Sequence, residues 1–384
     1  MDASTFCLKA HHKRCDFCSR VSPLSSEIFC GDEVTRANKI YVSSNARERI
    51  FLVGLLLALL AIAILSVTLG RYSIAPGVLY DCLSSFFTGQ PLDEDTKQAQ
   101  LVLLVVRIPR ILLCMMVGAA LAASGAAYQS LFRNPMVSPD ILGVTSASAV
   151  GAALGILLSL PVLVTHALSF TFGIIAVIVV VSIAKAITGG GRLNLVILIL
   201  AGVVISSLFT AIISLIKFVA DGDQKLPEIV FWLMGSFARS GGYYNVGVMF
   251  FSLLGGVIPL FLIRWRINAL AFGEEEAQAM GINTRQTTFI IAACATLLTA
   301  TAVSLCGCIG WVGLLVPHIC RFFVGPNFRI LLPVSIVGGA LFMLLVDNVC
   351  RTLISGELPV GVITSLLGAP VFLSMLFYRR KEWS

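Results

Sequence analysis

Long, nearly uncharged apolar runs restrict the fold of this chain more than any other feature of its sequence. Examples are residues 50–69, 111–132, 193–220 and 246–263. Each run approaches or exceeds the ~20 residues that a helix needs to cross the hydrocarbon core of a bilayer. Only 12% of the residues are charged and 58% are hydrophobic, which is far from the composition of soluble domains. The sequence therefore predicts an all-α, polytopic membrane protein.

The window-length criterion predicts about ten transmembrane helices. Their approximate bounds are 50–70, 105–132, 140–160, 163–188, 193–220, 244–264, 286–307, 310–324, 330–350 and 360–378. The eighth span is short and contains Pro317, and the third and fourth spans meet near Pro161.

The distribution of basic residues predicts the orientation of these spans. With the N-terminus inside, most of the 27 lysines and arginines fall on the inner segments, as the positive-inside tendency requires. Many of them lie in the N-terminal tail, so the membrane core alone shows a weaker bias. We expect both termini to be cytoplasmic and the chain to lie in the cytoplasmic (plasma or inner) membrane.

The chain is expected to divide into an N-terminal extension, residues 1–48, and a transmembrane domain, residues 49–380. The extension is cytoplasmic and too poor in apolar residues to fold alone, so we expect it to be disordered. It contains the C-x-x-C pair Cys15 and Cys18, and a zinc site there is a chemical alternative. The cysteines of the spans instead act as small hydrophobic residues. No metal site is predicted for the transmembrane domain.

One charged stretch, "ALAFGEEEAQAMGINTR" at residues 269–285, interrupts the apolar pattern between the sixth and seventh spans. Wound as a helix over about 269–281, it would place its small and apolar residues on one face and Glu274, Glu275 and Gln278 on the other. The apolar face would comprise Ala269, Leu270, Phe272, Ala277 and Met280. The pattern alone fits a solvated surface connector or a docking helix for a cytoplasmic partner.

Five motifs in a fixed order resemble the FecCD-type ABC permeases, the membrane subunits of importers for iron-siderophores, haem and cobalamin. They are "RIPRILLCMMVGAALAASGAAYQSLFRNPMVSPDILGV" (107–144), "FWLMGSF" (231–237), "LAFGEEEAQAMGI" (270–282), "IGWVGLLVPHICRFFVGPNFRILLP" (309–333) and "ELPVGVITSLLGAPVF" (357–372). The resemblance extends from about residue 49 to residue 380.

The resemblance implies a type II ABC importer fold of ten helices per subunit and a dimer with the translocation path at its interface. The second permease subunit is identical or related. A cytoplasmic ABC ATPase dimer would bind beneath it and carry the ATP and Mg, while a substrate-binding protein would dock outside. Membrane lipid surrounds the chain, and no nucleic-acid partner is expected. The residues that match the helix coupled to the ATPase are Gly273, Glu274, Ala277, Met280 and Gly281.

The resemblance also gives a role to three arginines at the outer ends of spans. Arg107 and Arg110 in "RIPR", together with Arg351, match positions that meet acidic residues of the binding protein, for which bidentate Arg–carboxylate geometry is suited. The alternative is that these side chains extend to lipid headgroups. Asp347 precedes Arg351 by one helical turn and could orient it.

The sequence leaves the substrate open among a ferric chelate, which we favour, cobalamin, haem and molybdate. A secondary transporter would need coupling charges at the bilayer midplane, whereas Lys185, Lys217 and Asp347 fall near predicted span ends. No hydrolase or metalloprotease motif is present, and no G-x-x-x-x-G-K-[ST] loop. We therefore expect a transport subunit without its own ATPase site, any catalytic residue or a bound cofactor. The small residues of 118–127 are explained first by close helix packing, although a substrate path along the same helix is compatible with them.

Overall fold

A computed structural model describes residues 47–70, 77, 84, 94–189, 195–238, 242–353 and 356–383. The chain divides into two compact units, residues 1–53 and 54–384. Within the first unit, the described residues 47–53 are helical. The predictions for the extension up to residue 46, including its disorder and the alternative zinc site, lie outside the described residues.

The described residues form helices and connecting turns, without a strand among them. In chain order the α-helices are α1 (Arg47–Thr68), α2 (Glu94–Leu101), α3 (Ile108–Leu131), α4 (Val144–Leu157), α5 (Val162–Ile187), α6 (Leu195–Val219), α7 (Lys225–Leu233), α8 (Tyr243–Leu262), α9 (Arg264–Leu270), α10 (Glu274–Ala279), α11 (Thr284–Cys306), α12 (Val312–Val324), α13 (Phe328–Thr352) and α14 (Val360–Trp383). A π-helix, Val102–Arg107, joins α2 to α3, and a 3-10 helix, Pro139–Leu142, precedes α4.

Ten apolar helices in the described part of the chain confirm the predicted fold class. Seven are long and apolar enough to cross a membrane: α1, the continuous stretch Thr96–Leu131, α5, α6, α8, α11 and α13. Three further apolar helices are shorter, which gives ten among the described residues: Val144–Leu157, Val312–Val324 and Val360–Met375. Each corresponds to one of the predicted spans.

Helix α3 lies at the centre of this bundle and packs against α8, α11, α12 and α13. Its small residues make that packing possible. A methyl group on Gly118 would lie 2.2 Å from the carbonyl oxygen of Gly339 in α13, and one on Gly125 would lie 1.7 Å from the carbonyl oxygen of Gly313 in α12. Backbones approach this closely in membranes only where side chains are absent or very small. Helix packing is therefore the role of the small residues in 118–127, and their burial excludes them from the lining of an open path.

Prolines break the helical structure of the chain after α3. Helix α3 ends at Leu131, and the chain then passes through Asn134-Pro135 and Ser138-Pro139 into the 3-10 helix. The Ser138 side chain accepts a hydrogen bond from the Asp140 amide, and Gly143 adopts a left-handed φ of 77° before α4 begins. The prolines prevent a continuous helix because they lack an amide donor and clash with the preceding turn.

The prediction of one continuous helix over 269–281 is wrong. The segment forms two short helices, α9 and α10, separated at Gly273, whose φ is 133°. That backbone conformation is open to glycine but strained for other residues. The break also separates the proposed apolar face: Ala269, Leu270 and Ala277 are buried, whereas Phe272 and Met280 are 73% and 50% exposed.

Candidate functional site

The candidate residues lie at the two opposite ends of α13. The end at which α13 finishes, together with the start of α3 and the last turn of α1, is here called the arginine end. The end at which α13 begins, together with α9 and α10, is called the acidic end. Helix α13 has 25 residues, and a helix of that length spans about 37 Å. The two groups of residues are therefore separated by the thickness of the bundle.

At the arginine end, Asp347 of α13 binds two guanidinium groups. Its Oδ1 accepts hydrogen bonds from Nε and Nη2 of Arg110, at 3.1 and 2.9 Å. Its Oδ2 lies 3.0 Å from Nε of Arg351, one helical turn further along the same helix. The Asp347 side chain is fully buried, so its charge is compensated by these two cations. The predicted contact between Asp347 and Arg351 is confirmed.

The same arginines fasten the last turn of α1 to the bundle. Nη2 of Arg351 donates a 2.6 Å hydrogen bond to Oγ of Ser66, and it also contacts Oδ1 of Asn348. Nη1 of Arg107 donates to the carbonyl oxygens of Val67 and Thr68. The π-helix that ends at Arg107 directs this side chain toward α1, and such irregular turns are frequent at functional positions.

The three predicted docking arginines are thus brought together, but as buried side chains. Arg107, Arg110 and Arg351 are only 4%, 7% and 7% exposed. From the sequence we expected these arginines to bind acidic residues of another protein. In the structure, Arg110 and Arg351 are paired with carboxylates of their own chain. Extension toward lipid headgroups is excluded for side chains buried in this way.

A second carboxylate reaches Arg110 from the turn that precedes α14. Oε1 of Glu357 lies 2.9 Å from Nη1 of Arg110. Glu357 also lines a cavity of about 450 Å³ between the ends of α4, α5, α7 and α11. Polar groups in its wall include His166, Lys225 and Glu228, and aromatic ones include Phe231 and Trp232. Glu357 therefore belongs both to the arginine cluster and to this cavity.

At the acidic end, the five predicted coupling residues lie in and around α10. Gly273 and Ala277 are buried within the chain, Glu274 is half-buried, and Met280 and Gly281 are exposed. Helix α10 ends in a left-handed turn, in which Gly281 has a φ of 80° and donates to the carbonyl oxygen of Gln278 at 2.8 Å. The exposed part of this surface consists of Phe272 and Met280 beside the acidic side chains of Glu275 and Glu276. It combines apolar area and negative charge.

Asn268 attaches this surface to the first turn of α13. Its Nδ2 donates a 2.8 Å hydrogen bond to Oδ1 of Asn327, and its Oδ1 accepts a 2.7 Å hydrogen bond from the amide of Phe328. The second bond satisfies one of the amide groups that every helix leaves unpaired at its start. Asn268 therefore ties the end of α9 to the first turn of α13.

The exposed face of α6 carries a stripe of hydroxyl groups and a stripe of apolar side chains next to each other. Ser207, Thr210 and Ser214 recur at intervals of three and four residues and form a stripe of hydroxyl groups. Beside it runs an apolar stripe that includes Val204, Leu208 and Leu215. A helix surrounded by lipid would show apolar side chains all round its exposed face. The hydroxyl stripe therefore suits a watery or protein environment, and the apolar stripe suits lipid.

A cavity of about 560 Å³ opens beside the hydroxyl stripe, at the N-terminal half of α6. It lies between α6 and the 3-10 helix, and its polar wall consists of Ser138, Asp140, Ser206, Ser207 and Thr210. Gly202 makes this contact close, because a methyl group there would lie 2.1 Å from the carbonyl oxygen of Ile141. Burial raises the pKa of Asp140 above its ordinary value, and its hydrogen bond from Thr145 acts in the opposite direction.

Among the described residues, no group of three or more His, Cys, Asp or Glu side chains has a geometry suited to a metal ion. The described cysteines are free thiols, and Cys114, Cys294, Cys306, Cys320 and Cys350 are buried. Among the described residues, the polar groups of the candidate site are thus ion pairs and hydroxyl groups.

Several residues of the site carry no sequence signal of their own. Ser66, Asn268 and Asn348 are ordinary polar residues near helix ends, and their partners lie far away in the chain. Glu357 stands within a recognised motif, but that motif does not indicate its partner. A usable signal is the presence of both Arg110 and Asp347 within otherwise apolar spans, because buried charges in membranes require opposite charges nearby.

Comparison with known proteins identifies the family to which this chain belongs. A family model described as the FecCD transport family matches residues 56–378. A molybdate import system permease protein of Haemophilus influenzae is 40% identical over 333 residues, which cover 86% of this chain and 96% of that protein. A protein of Helicobacter pylori described as an iron chelatin transport system permease is 40% identical over 289 residues, which cover 75% of this chain and 86% of that protein.

A haemin transport system permease of Yersinia pestis is 33% identical over 348 residues, covering 89% of this chain and all of that protein. Among solved structures, an inward-facing metal-chelate type ABC transporter matches with a TM-score of 0.74 and 37% sequence identity. That match covers 86% of this chain and 99% of the solved one.

Proposed function

The chain belongs to the FecCD transport family of ABC importer permeases, and we propose that it carries a ferric chelate across the cytoplasmic membrane with energy from a partner ATPase. The choice of a ferric chelate rests on the similarity to the iron chelatin permease of Helicobacter pylori and to the solved metal-chelate type transporter, and the ATP-driven part of the proposal rests on the connection of two functional surfaces by one helix. Helix α13 begins at the acidic end, where Asn268 holds it, and ends at the arginine end with Asp347 and Arg351. A transporter driven from one side and supplied from the other needs such a connection.

We assign the acidic end to the contact with a cytoplasmic ABC ATPase dimer. The exposed Phe272 and Met280 offer apolar area, and Glu275 and Glu276 offer charge around it. Interfaces of this kind combine an apolar centre with a polar rim. Ala277 supports the surface from inside rather than touching the partner, because it is fully buried in its own chain. ATP and Mg would bind to the ATPase, since the sequence contains no phosphate-binding loop.

We assign the arginine end to the docking of an extracytoplasmic substrate-binding protein. Arg107, Arg110 and Arg351 form a compact group of positive charge at one end of the bundle. Three arginines against the two carboxylates Asp347 and Glu357 leave this group with a net positive charge, which favours the approach of a partner that carries carboxylates. Because these side chains are buried, the partner would have to reach inward or displace a group that now covers them.

We assign the hydroxyl stripe of α6 to a translocation path at the interface with a second permease subunit. The stripe is exposed on this chain and would be hydrated between two subunits, while the apolar stripe beside it would meet lipid. A row of hydroxyl groups suits the passage of hydrated, hydrophilic solutes, because its oxygen atoms can accept hydrogen bonds from water while their protons are donated to the helix backbone, and it holds no charge firmly.

Molybdate is the second candidate substrate. The relative from Haemophilus influenzae, which is named for molybdate import, is aligned over nearly its whole length. A ferric chelate of an organic acid and molybdate are both hydrophilic and rich in oxygen, so the hydroxyl stripe is compatible with either. Haem has a large apolar ring and is less well suited to such a surface.

Transport by a reconstituted complex tests the proposal. The permease would be purified with its ATPase, placed in liposomes, and supplied with its substrate-binding protein. We expect ATP-dependent uptake of radiolabelled ferric citrate or ferric hydroxamate, with little uptake of molybdate. Uptake of molybdate alone would transfer the assignment to the second candidate. Uptake of haemin or cobalamin, without either hydrophilic substrate, would contradict both.

A further inference from the structure

We propose that Glu357 is an internal competitor for Arg110, which a carboxylate of the docked substrate-binding protein must displace. This inference rests on the proposed docking at the arginine end and adds a residue that regulates it. Glu357 is a positioning residue, since it acts through Arg110 and not on the substrate.

The two carboxylates bound to Arg110 differ in how firmly they are held. Asp347 has no exposed side-chain surface and binds Arg110 and Arg351 at the same time. Glu357 binds Arg110 through one oxygen at 2.9 Å, and its side chain is 29% exposed. Removing Asp347 would leave two buried cations without their common partner, whereas Glu357 can move into solvent or into the adjoining cavity. Glu357 is therefore the exchangeable ligand.

The occupied donors of Arg110 favour the exchange. Its Nε and Nη2 bind Asp347 and its Nη1 binds Glu357. A third carboxylate that reached Arg110 would stand close to Glu357 in a region of low dielectric, where like charges repel strongly. A partner carboxylate can therefore bind Arg110 well only if Glu357 leaves.

The displaced carboxylate of Glu357 can move into the adjoining cavity of about 450 Å³. Its wall carries Lys225, whose Nζ now donates a 2.6 Å hydrogen bond to Ser159. It also carries His166, whose Nε2 is buried without a hydrogen-bond partner in the described part of the chain. Lys225 can donate to a carboxylate, whereas Nε2 of His166 can do so only in the imidazolium form, because Nδ1 donates to the carbonyl oxygen of Ser304 and holds the proton of the neutral ring.

The exchange needs only a side-chain rotation, because the backbone near Glu357 is held. The amides of Val360 and Gly361 donate to the carbonyl oxygens of Gly235 and Met234, each at 3.0 Å. Gly361 is also closely enclosed, since a methyl group there would lie 2.5 Å from the carbonyl oxygen of Met234. Docking can thus release Glu357 without unfolding the turn before α14.

Binding of the substrate-binding protein to the assembled complex tests this inference. The permease–ATPase complex in nanodiscs would be titrated with its substrate-binding protein, at low and high salt. For Glu357→Gln, which removes the charge and keeps the shape, we expect about tenfold tighter binding, equivalent to about 1.4 kcal/mol. The control Asp223→Asn removes one exposed negative charge two residues before α7, and it should change the affinity less than about twofold if only exposed charge is involved.

A double-mutant cycle makes the test specific. Arg110→Gln should weaken binding about tenfold or more, and the gain from Glu357→Gln should disappear in the Arg110→Gln background. If Glu357→Gln does not assemble, Glu357→Asp keeps the charge but shortens its reach, and it should strengthen binding by about threefold, a part of the full gain.

The outcomes separate the two claims. Weaker binding by Arg110→Gln, combined with unchanged or weaker binding by the Glu357 variants, would overturn the competition and leave the docking site in place. Unchanged binding by Arg110→Gln would overturn the docking site and the competition together. An equal gain from Asp223→Asn would show a general effect of surface charge and would also overturn the competition.

Discussion

The side-chain amide of Asn268 donates a 2.8 Å hydrogen bond to the side chain of Asn327, across the junction between α9 and α13. Asn268 also accepts the amide of Phe328, the first residue of α13. These two bonds tie the acidic end to the helix that carries Asp347 at its other end. Movement of α10 by a partner would therefore reach the arginine end through a rigid element.

We predict that Asn268→Ala weakens the coupling between the two ends. The change removes two hydrogen bonds, each contributing about 0.5–1.5 kcal/mol, and frees α9 from α13. Stimulation of ATP hydrolysis by the substrate-binding protein should fall severalfold, while basal hydrolysis persists. The matched control is Asn283→Ala, which removes the cap of α11 at the same end but leaves the junction intact. Equal loss of stimulation in both variants would show a general loss of stability and contradict the prediction.

We predict that Asp347→Asn destabilises the whole bundle. The buried carboxylate neutralises Arg110 and Arg351, and removal of one partner from a buried ion pair costs about 3–5 kcal/mol. The measurement is thermal unfolding of the purified permease in detergent. Glu228→Gln, at an exposed acidic position, should change the stability by less than about 0.5 kcal/mol. A wild-type melting curve for Asp347→Asn would contradict the role of this residue in the core.

We predict that Ala277→Trp damages the permease itself, before any partner binds. Ala277 is fully buried under α10, and overpacking of such a position costs about 1–3 kcal/mol. The yield and melting temperature of the isolated permease should fall. Normal stability with a selective loss of ATPase binding would instead mean that Ala277 faces the partner.

We predict the opposite behaviour for Met280→Glu. Met280 is 50% exposed beside Glu275 and Glu276, so its loss should leave the fold intact. Replacement by a charge in an apolar contact should weaken copurification of the ATPase about tenfold or more, as expected for a central interface residue. The permease should still insert and melt like the wild type. Undiminished copurification would remove Met280 from the proposed interface.

We predict that replacement of Ser207, Thr210 and Ser214 by leucine impairs transport. Their hydroxyl groups already donate to the helix backbone, so leucine should be tolerated by the fold and favoured by lipid. Uptake should nevertheless fall about tenfold if the stripe lines a hydrated path.

The matched control replaces Thr171 and Ser182 of α5 by leucine. These hydroxyl groups are exposed and bonded to the backbone in the same way, but apolar residues separate them along the face. Transport should remain at the wild-type level in that variant. Full activity of the α6 variant would mean that its stripe faces lipid.

The number, order and type of the spans were predictable because they depend on local properties. A run of about 20 apolar residues must cross the membrane as a helix whatever its neighbours are. The break after α3 was equally local, since the prolines at 135 and 139 exclude a continuous helix. The small residues of 118–127 also predicted close packing, although the helix they pack against could not be known.

The pairing of charges was decided only by the tertiary structure. Arg110 and Glu357 are separated by 247 positions in the chain, and nothing in either local sequence specifies the other. The same holds for Asn268 with Asn327 and for Ser66 with Arg351. The sequence determined that charges would stand at the ends of apolar helices. Helix packing decided which of them meet, because burial in the bundle forces each charged or polar group to find a partner inside the chain.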